Sequence, residues 1–512
     1  VKIVSSEAMA RIDSRTQAEF AFPSMLLMED AGVKAWAVLR RLVWGGRRPH
    51  GRICFVAGRG NNGGDAFVMA RQAAVEHVQP LTIVLAGGRP EKDSDPGRNL
   101  AACEALGMEI IDWPVQTDLV TSRIAEASWI LDGIAGTGIR GALRPPLSDL
   151  VQCLNQSPGR KAALDVPSGI RDGYTEGSPA VRADLTLAMG LPKLCLYLPR
   201  ARALCGRIFV VPVGFPPALV DDPAIAGELL SPRAWKRLAP PIPPDTHKNK
   251  RGHLAVFAGA RGTTGAAWLC ATAAARARVG LVTLFADTEI YPVIAPKLTS
   301  VMCRPWDPPG AAAEKTSTRP PAADWDPSRY SAVLVGPGWG LTDEKAAWLD
   351  ALTSSPLPGV IDADAITLLG RKAAARKVDL GGRWVLTPHP GEFSRLTGAS
   401  RDAVLDDPVG HALAASDRLN AVLVLKGHST IVAGPDGRYW ILDGGNPALA
   451  TGGSGDVLAG LIAAGIAGGL APLEAARFGV SLHAYTGALG ARQRGWFLAE
   501  DLVPLVSRIL WK

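Results

Sequence analysis

The chain has 512 residues, of which 47% are hydrophobic and 20% charged, with a formal net charge of +7; this excludes a disordered chain and gives room for two or three cores. The basic balance comes without a run of Lys and Arg interleaved with aromatics, so it favours anionic small molecules over nucleic acid. The seven cysteines form no C-x-x-C pair, which argues against a disulfide framework or zinc site and for reduced core thiols in a cytoplasmic protein.

The first twenty residues carry charges throughout and lack a signal-peptide core. Short runs rich in Val, Ile and Leu then recur: "RICFVAG", "LTIVLAG", "ASWILDG", "KAALDVPSG", "ADLTLAMG" and "RIFVVPVG". They predict buried parallel strands, and helical patterns such as "DAFVMARQAAVE" and "NLAACEALG" lie between them. This alternation predicts a Rossmann-like, doubly wound α/β domain.

Proline-rich text around Phe215–Asp245 places a domain boundary near residue 225, giving domains 1–225 and 226–512. The alternation restarts with "HLAVFAGA", "GLVTLFAD", "SAVLVGPG", "GVIDADA", "RWVLTPHPG" and "AVLVLKG". "STIVAGPDGRYWILDGG" reads as a hairpin turning at Asp436-Gly437. The stretch from Asp307, "DPPGAAAEKTSTRPPAADWDP", reads as a mobile surface loop. "VLAGLIAAGIAGGLAPL" reads as a buried helix, so no membrane partner is expected. The halves do not align as a repeat, which predicts two different α/β domains.

Within "GRGNNGGD", Gly58, Gly60 and Gly63 fit G-x-G-x-x-G. A hydride-transfer site also needs an acidic residue at the end of the second strand, but "VLAGGRP" has none. Asp65 would stand where a pyrophosphate sits. The turn instead offers the amides of Asn61 and Asn62. Asp132 ends another strand before Gly136-Thr137-Gly138, an anion-holding nest, and Asp165 and Ser168 follow a third. Together they can supply oxygen ligands to a hard cation, with one carboxylate left for proton transfer; singly, each reads as a cap or turn former.

"LLMEDAG", "GRGNNGGD", "DGIAGTG" and "DVPSG" resemble the YjeF N-terminal domain, the NAD(P)H-hydrate epimerase, over roughly residues 1–215. The resemblance implies potassium ligands at Asn62, Asp132 and Ser168. It implies substrate contacts at Asn61, Asn62, Gly63, Gly64 and Asp65, at Gly136, Thr137, Gly138, Ile139, Arg140, Gly141 and Ala142, and at Asp165. Asp165 is the candidate acid/base. Ala66 stands where the family usually has glycine.

In the second half, "GGNPALATGGSGDVLAG" brings glycines to a helix start, where free N–H groups hold phosphate. Asp456 at that turn is placed to take a proton from a hydroxyl as a phosphoryl group transfers. Lys426 in "LKGHST" offers a phosphate contact and Thr430 a polar one; His389 reads as a ligand or a structural histidine. Asp362 and Asp364 read as magnesium ligands or helix caps, with a supporting role preferred.

The turn resembles that of ribokinase-like enzymes. The ordered set "HKNKRGH", "GTTGAA", "GPGWG", "DADAI", "TPHPGE", "KGHST" and "GGSGDVLAG" resembles the NAD(P)H-hydrate dehydratase over about residues 230–512. This implies substrate contacts at Ala266, Gly338, His389 and Asp456, and nucleotide contacts at Lys426, Gly427, His428, Ser429, Thr430 and Gly455. Asn249 departs from the usual His-Lys-Gly pattern. The expected protein repairs hydrated NADH and NADPH (NADHX and NADPHX), using K+, Mg2+ and ADP, with ATP as an alternative, in a homo-oligomer. Its rivals are a vitamin-precursor or sugar kinase with an N-terminal binding module, and a non-enzymatic ligand sensor.

Overall fold

The computed structural model describes residues 1–306, 325–444 and 446–511. The chain divides into two compact units, Val1–Gly227 and Glu228–Lys512. Of the loop expected from Asp307, residues 307–324 lie outside the described residues.

The first unit contains a parallel sheet of seven strands. Their spatial order is Glu109–Trp113, Leu81–Ala86, Arg52–Ala57, Ala127–Gly133, Arg160–Leu164, Leu185–Met189 and Arg207–Val211. Both faces are buried, as strict alternation along Arg52–Ala57 shows. Phe55 enters a core with Trp36 and Phe67, while Val56 enters a separate core with Val120 and Leu150. A strand covered on both sides by helices must be apolar along its buried length, as residues 53–57 are, while Arg52 at the part-exposed start pairs with Glu109 and Glu126.

Connections run one way from Arg52–Ala57 through Leu81–Ala86 to Glu109–Trp113, then jump back to Ala127–Gly133 on the other side of Arg52–Ala57. This reversal leaves a crevice at the carboxyl ends of Arg52–Ala57 and Ala127–Gly133. The glycine turn at 58–65 and the loop after Asp132 open into it.

In the second unit the strands run in the order Tyr439–Asp443, Ser429–Ala433, Val422–Leu425, Trp384–Leu386, Gly359–Ile361, Ala332–Val335, His253–Phe257, Leu281–Asp287 and Met302–Trp306. Pairing is parallel from Val422–Leu425 to Met302–Trp306. It is antiparallel through the hairpin, where the Gly437 N–H donates to the Gly434 carbonyl at 3.1 Å. One face packs on the helices Thr264–Arg276, Ser454–Ala467 and Pro472–Arg494. The other carries an aromatic cluster in which Phe257 stacks on Phe285 and meets Trp339 and Trp348 edge-on.

Two edge strands escape the sequence pattern, Glu109–Trp113 and Met302–Trp306. Each is half-exposed, and the second contains Pro305, which an edge tolerates because one side makes no ladder bonds. The Gly/Ala-rich helix Ser454–Ala467 is buried from Val457 to Ala467. No helix among the described residues is long and apolar enough to cross a membrane.

Candidate active sites

The crevice of the first unit is a cavity of about 640 Å3. Its wall brings together Asn61, Asn62 and Asp65 from the glycine turn, Gly136–Ile139 from the next loop, and Asp165. Gly63 and Gly64 lie beneath the wall. A Cβ on Gly63 would stand 1.9 Å from the Gly58 carbonyl oxygen, and one on Gly58 the same distance from that of Ile134. These glycines let the turn and the loop after Asp132 close on each other. Arg140, Gly141 and Ala142 do not line the cavity; the Gly141 carbonyl accepts from Arg171 Nε at 3.0 Å.

Under the cavity floor Asp132 and Ser168 are fully buried. Asp132 Oδ2 accepts from the Ser168 N–H at 2.8 Å, and Oδ1 from the Ser168 hydroxyl at 2.5 Å. Burial raises the Asp132 carboxyl to about 6 despite these bonds. Asn62 is 9% exposed, and both its amide nitrogen and oxygen are buried without a partner. A buried primary amide left in this way costs about 1–3 kcal/mol per unmet group, which a ligand would offset.

Asp165 follows the strand Arg160–Leu164 in left-handed backbone, with φ 65°. The turn is held by its own N–H on the Leu187 carbonyl at 2.8 Å, and by the Met189 N–H on its Oδ1 at 3.2 Å. Lys193 Nζ donates to the same Oδ1 and to the Met189 carbonyl. Asp65 faces this pair. Burial, then the Asp165 charge, pushes its carboxyl well above the usual range, with Lys193 opposing. Asp13 completes the group from the helix Ser6–Phe20, its carboxyl also raised by burial. Sequence reasoning missed Lys193 and Asp13. The available signal was a lysine inside the apolar run "GLPKLCLYL", where an ammonium needs a buried anion.

The second unit assembles its own cluster at strand ends. Gly453 has φ 87° and caps the helix Ser454–Ala467, which opens with Gly455 and Asp456. Asp456 is part-buried and its carboxyl is raised to about 7, by burial first and then by Asp362, with Lys426 opposing. Lys426 Nζ lies 3.1 Å from Asp362 Oδ1 and 3.9 Å from Glu392 Oε2. A Cβ on Gly455 would stand 3.5 Å from that ammonium, so Lys426 reaches the helix start. Burial works against the Lys426 charge, but Asp362 and Glu392 outweigh it and hold the ammonium above its ordinary value.

Asp362 is itself buried, and its Oδ1 also accepts from the Thr387 hydroxyl at 2.7 Å. Asp364 Oδ2 accepts from the Gly340 N–H at 2.7 Å and so ties down the loop that carries Gly338. The Gly338 carbonyl accepts from Thr263 Oγ1 at 2.7 Å, and a Cβ on Gly338 would meet that of Ala266 at 3.0 Å. His389 caps the helix Pro390–Thr397: its Nδ1 accepts from the Gly391 and Glu392 N–H groups, and Glu392 Oε2 accepts the His389 N–H at 2.8 Å. Its ring is half-exposed, with Nε2 3.4 Å from Glu392 Oε1. Gly427 and His428 lead from Lys426 into the strand Ser429–Ala433, which carries Thr430; the Ser429 hydroxyl is buried without a partner.

Comparison with known proteins places these sites in context. Residues 254–508 match the family model described as NAD(P)H-hydrate dehydratase, and residues 24–195 match that of the YjeF-related protein N-terminus. The bifunctional NAD(P)H-hydrate repair enzyme of Coxiella burnetii is 34% identical, over 88% of this chain and 88% of its own. That of Moorella thermoacetica is 33% identical, over 99% of this chain and 96% of its own. Among solved structures, the ADP/ATP-dependent NAD(P)H-hydrate dehydratase from Bacillus subtilis, co-crystallized with ATP/Mg2+, is 28% identical; it matches with a TM-score of 0.47 over 55% of this chain and 96% of its own.

Proposed function

The chain belongs to the family of bifunctional NAD(P)H-hydrate repair enzymes, and from that premise we propose how its two sites divide the work. The first unit interconverts the R and S forms of NADHX and NADPHX, and the second dehydrates the S form to NADH or NADPH with ADP, giving AMP and phosphate. The rival reading as a small-molecule kinase is disfavoured by relatives that match across both units.

In the first unit the reacting carbon carries a hydroxyl and adjoins the ring nitrogen, so inversion requires its C–O bond to break and to re-form on the other face. A proton is supplied to the departing oxygen while the nitrogen lone pair stabilises the cation, and a proton is removed from the returning water. Asp165 serves as the acid/base, oriented by Lys193 and the Met189 N–H. Asp65 retains its proton to higher pH than an ordinary carboxyl, so the two carboxyls are suited to opposite roles. Asn62, Asp132 and Ser168 suit a potassium ion: the buried amide oxygen of Asn62 lacks a partner and the buried Asp132 brings the charge. When bound, the ion supplies a fixed positive charge under the substrate.

In the second unit Asp456 takes the proton from the ring hydroxyl as the phosphoryl group arrives. Lys426 and the N–H groups at the start of the Ser454–Ala467 helix hold the phosphates. Departure of phosphate, with its C–O bond, and of a proton from the neighbouring ring carbon to solvent then restores the double bond of the dihydropyridine. The contacts of Asp362 with Lys426 and Thr387, and of Asp364 with Gly340, support a positioning role for both. Magnesium, carried with the nucleotide, supplies charge neutralisation along its phosphates.

The observation that carries the reading is the pairing of Asp456 with Lys426 and Asp362 at a glycine-capped helix start. The test is the near-ultraviolet absorbance of reduced nicotinamide, with an R/S mixture of NADHX, magnesium, potassium and ADP. Recovery of nearly all the NADH is expected. A stable phosphorylated product without NADH would restore the kinase reading. Small-molecule substrates, a cytoplasmic setting and self-association complete the proposal.

A further inference from the structure

A second large cavity, about 1240 Å3, lies in the second unit, and none of its lining residues belongs to either of the two clusters described above. Its wall includes Arg251, just before the strand His253–Phe257, and Arg278, just before Leu281–Asp287. It therefore opens at the amino ends of the parallel strands. The loops of the catalytic cluster leave the carboxyl ends, about 17 Å away along a five-residue strand.

Arg251, Arg276, Arg278 and Lys297 all face this cavity, against a single acidic residue, Glu500. None of the four cations has a carboxylate within ion-pair distance among the described residues. Their polar contacts are few: Arg251 Nε donates to the Arg278 carbonyl at 2.8 Å, and Arg276 Nη1 to the Ser507 hydroxyl at 3.3 Å. Burial, and then the neighbouring Arg251 charge, lowers the Arg278 guanidinium from its ordinary value.

Two features resist a purely structural explanation. The end of the helix Thr264–Arg276 accounts for one favourable cation through its dipole, but not for two arginines side by side. Arg278 also sits in left-handed backbone with φ 74°, where glycine would be free of strain and a branched cation costs about 1–2 kcal/mol. Strain and like-charge crowding held together in a cavity point to a function.

We propose that this cavity is a second anion site, which binds the oligophosphate of a nucleotide apart from the catalytic turn. Guanidinium forks match phosphate oxygens in pairs. The part-buried Trp268 and the exposed Trp511 on the same wall offer faces for the base.

The test is calorimetric titration of the full chain with ADP and, separately, with inorganic tripolyphosphate, comparing the parent with Arg251→Gln/Arg278→Gly. Glycine relaxes the strained backbone, so the variant is expected to fold; an unchanged far-ultraviolet circular dichroism spectrum and melting temperature check that. The expected result is loss of one equivalent of ADP, or at least a tenfold weakening of it, together with weaker tripolyphosphate binding. ADP binding more tightly than tripolyphosphate assigns the ligand as a nucleotide; equal affinity assigns it as an inorganic polyphosphate on the same cations. Identical isotherms for parent and variant would overturn the site. A variant that changed only in oligomeric state would overturn it too, and make this face a contact between copies. Because the readout is binding stoichiometry, it does not depend on either reaction being assigned correctly.

Discussion

Lys193 donates to the same Asp165 oxygen that accepts the Met189 N–H, and its side chain is only 1% exposed. An ammonium so buried is tolerable only beside an anion that cannot move away. Asp165 is held in left-handed backbone by its own N–H and by that of Met189, so its carboxyl is aimed into the cavity by backbone and lysine together.

Lys193→Met therefore lowers the epimerase kcat by about 100-fold, the scale of a misplaced proton-transfer group. Lys193→Arg restores part of the rate. Dehydration of pure S-NADHX is unchanged in both variants. An equal loss of kcat in Lys193→Met and Lys193→Arg would reduce the lysine to a packing role.

The dehydratase needs Asp456 ionised. With its carboxyl at about 7, the free enzyme is half in the active form near that pH. kcat/KM for S-NADHX thus falls about tenfold per pH unit below it. A profile flat between pH 5 and 8 would remove Asp456 from the role of base.

The same raised value makes a stability prediction of opposite sense. A carboxyl whose folded value lies above its unfolded one contributes stability fully below the unfolded value, about 4. That contribution is lost as pH rises through about 7, where the ionised group stands beside Asp362. Asp456→Asn is therefore inactive yet melts higher than the parent at pH 8.5, by about 2–4 °C for each kcal/mol recovered. At pH 4 the two melt together. Equal melting temperatures at pH 8.5 would contradict this.

Replacing potassium by lithium, or Asn62 by alanine, abolishes epimerisation and spares dehydration. Because the Asp132 carboxyl lies at about 6, protons compete with the cation below that pH. Apparent potassium affinity then falls about tenfold per unit. Full epimerase activity in lithium would exclude the site.

Much of this was legible in the sequence because buried parallel strands advertise themselves as continuous apolar runs, and because strand-end glycines sit beside Asn and Asp. The edge strands Glu109–Trp113 and Met302–Trp306 were not legible: half-exposed strands mix polar residues into the pattern. Asp165 could be picked out as a strand-end carboxylate, and Lys193 as a lysine in an apolar run, but their pairing across 28 residues could not, since only the sheet order brings the two together. Likewise Asp362 reads as a magnesium ligand or a helix cap in sequence, with a supporting role preferred, and its carboxylate bonds Lys426 and Thr387 and makes no cap bond.

On the proposed assignment, one chain carries both reactions on separate residues. The most direct measurement is the progress curve of NADH recovery from an R/S mixture with Asp165→Asn. The expected curve has a fast phase equal to the S fraction, at the parent's rate, followed by a remainder as slow as uncatalysed epimerisation. A single fast phase to completion would contradict it.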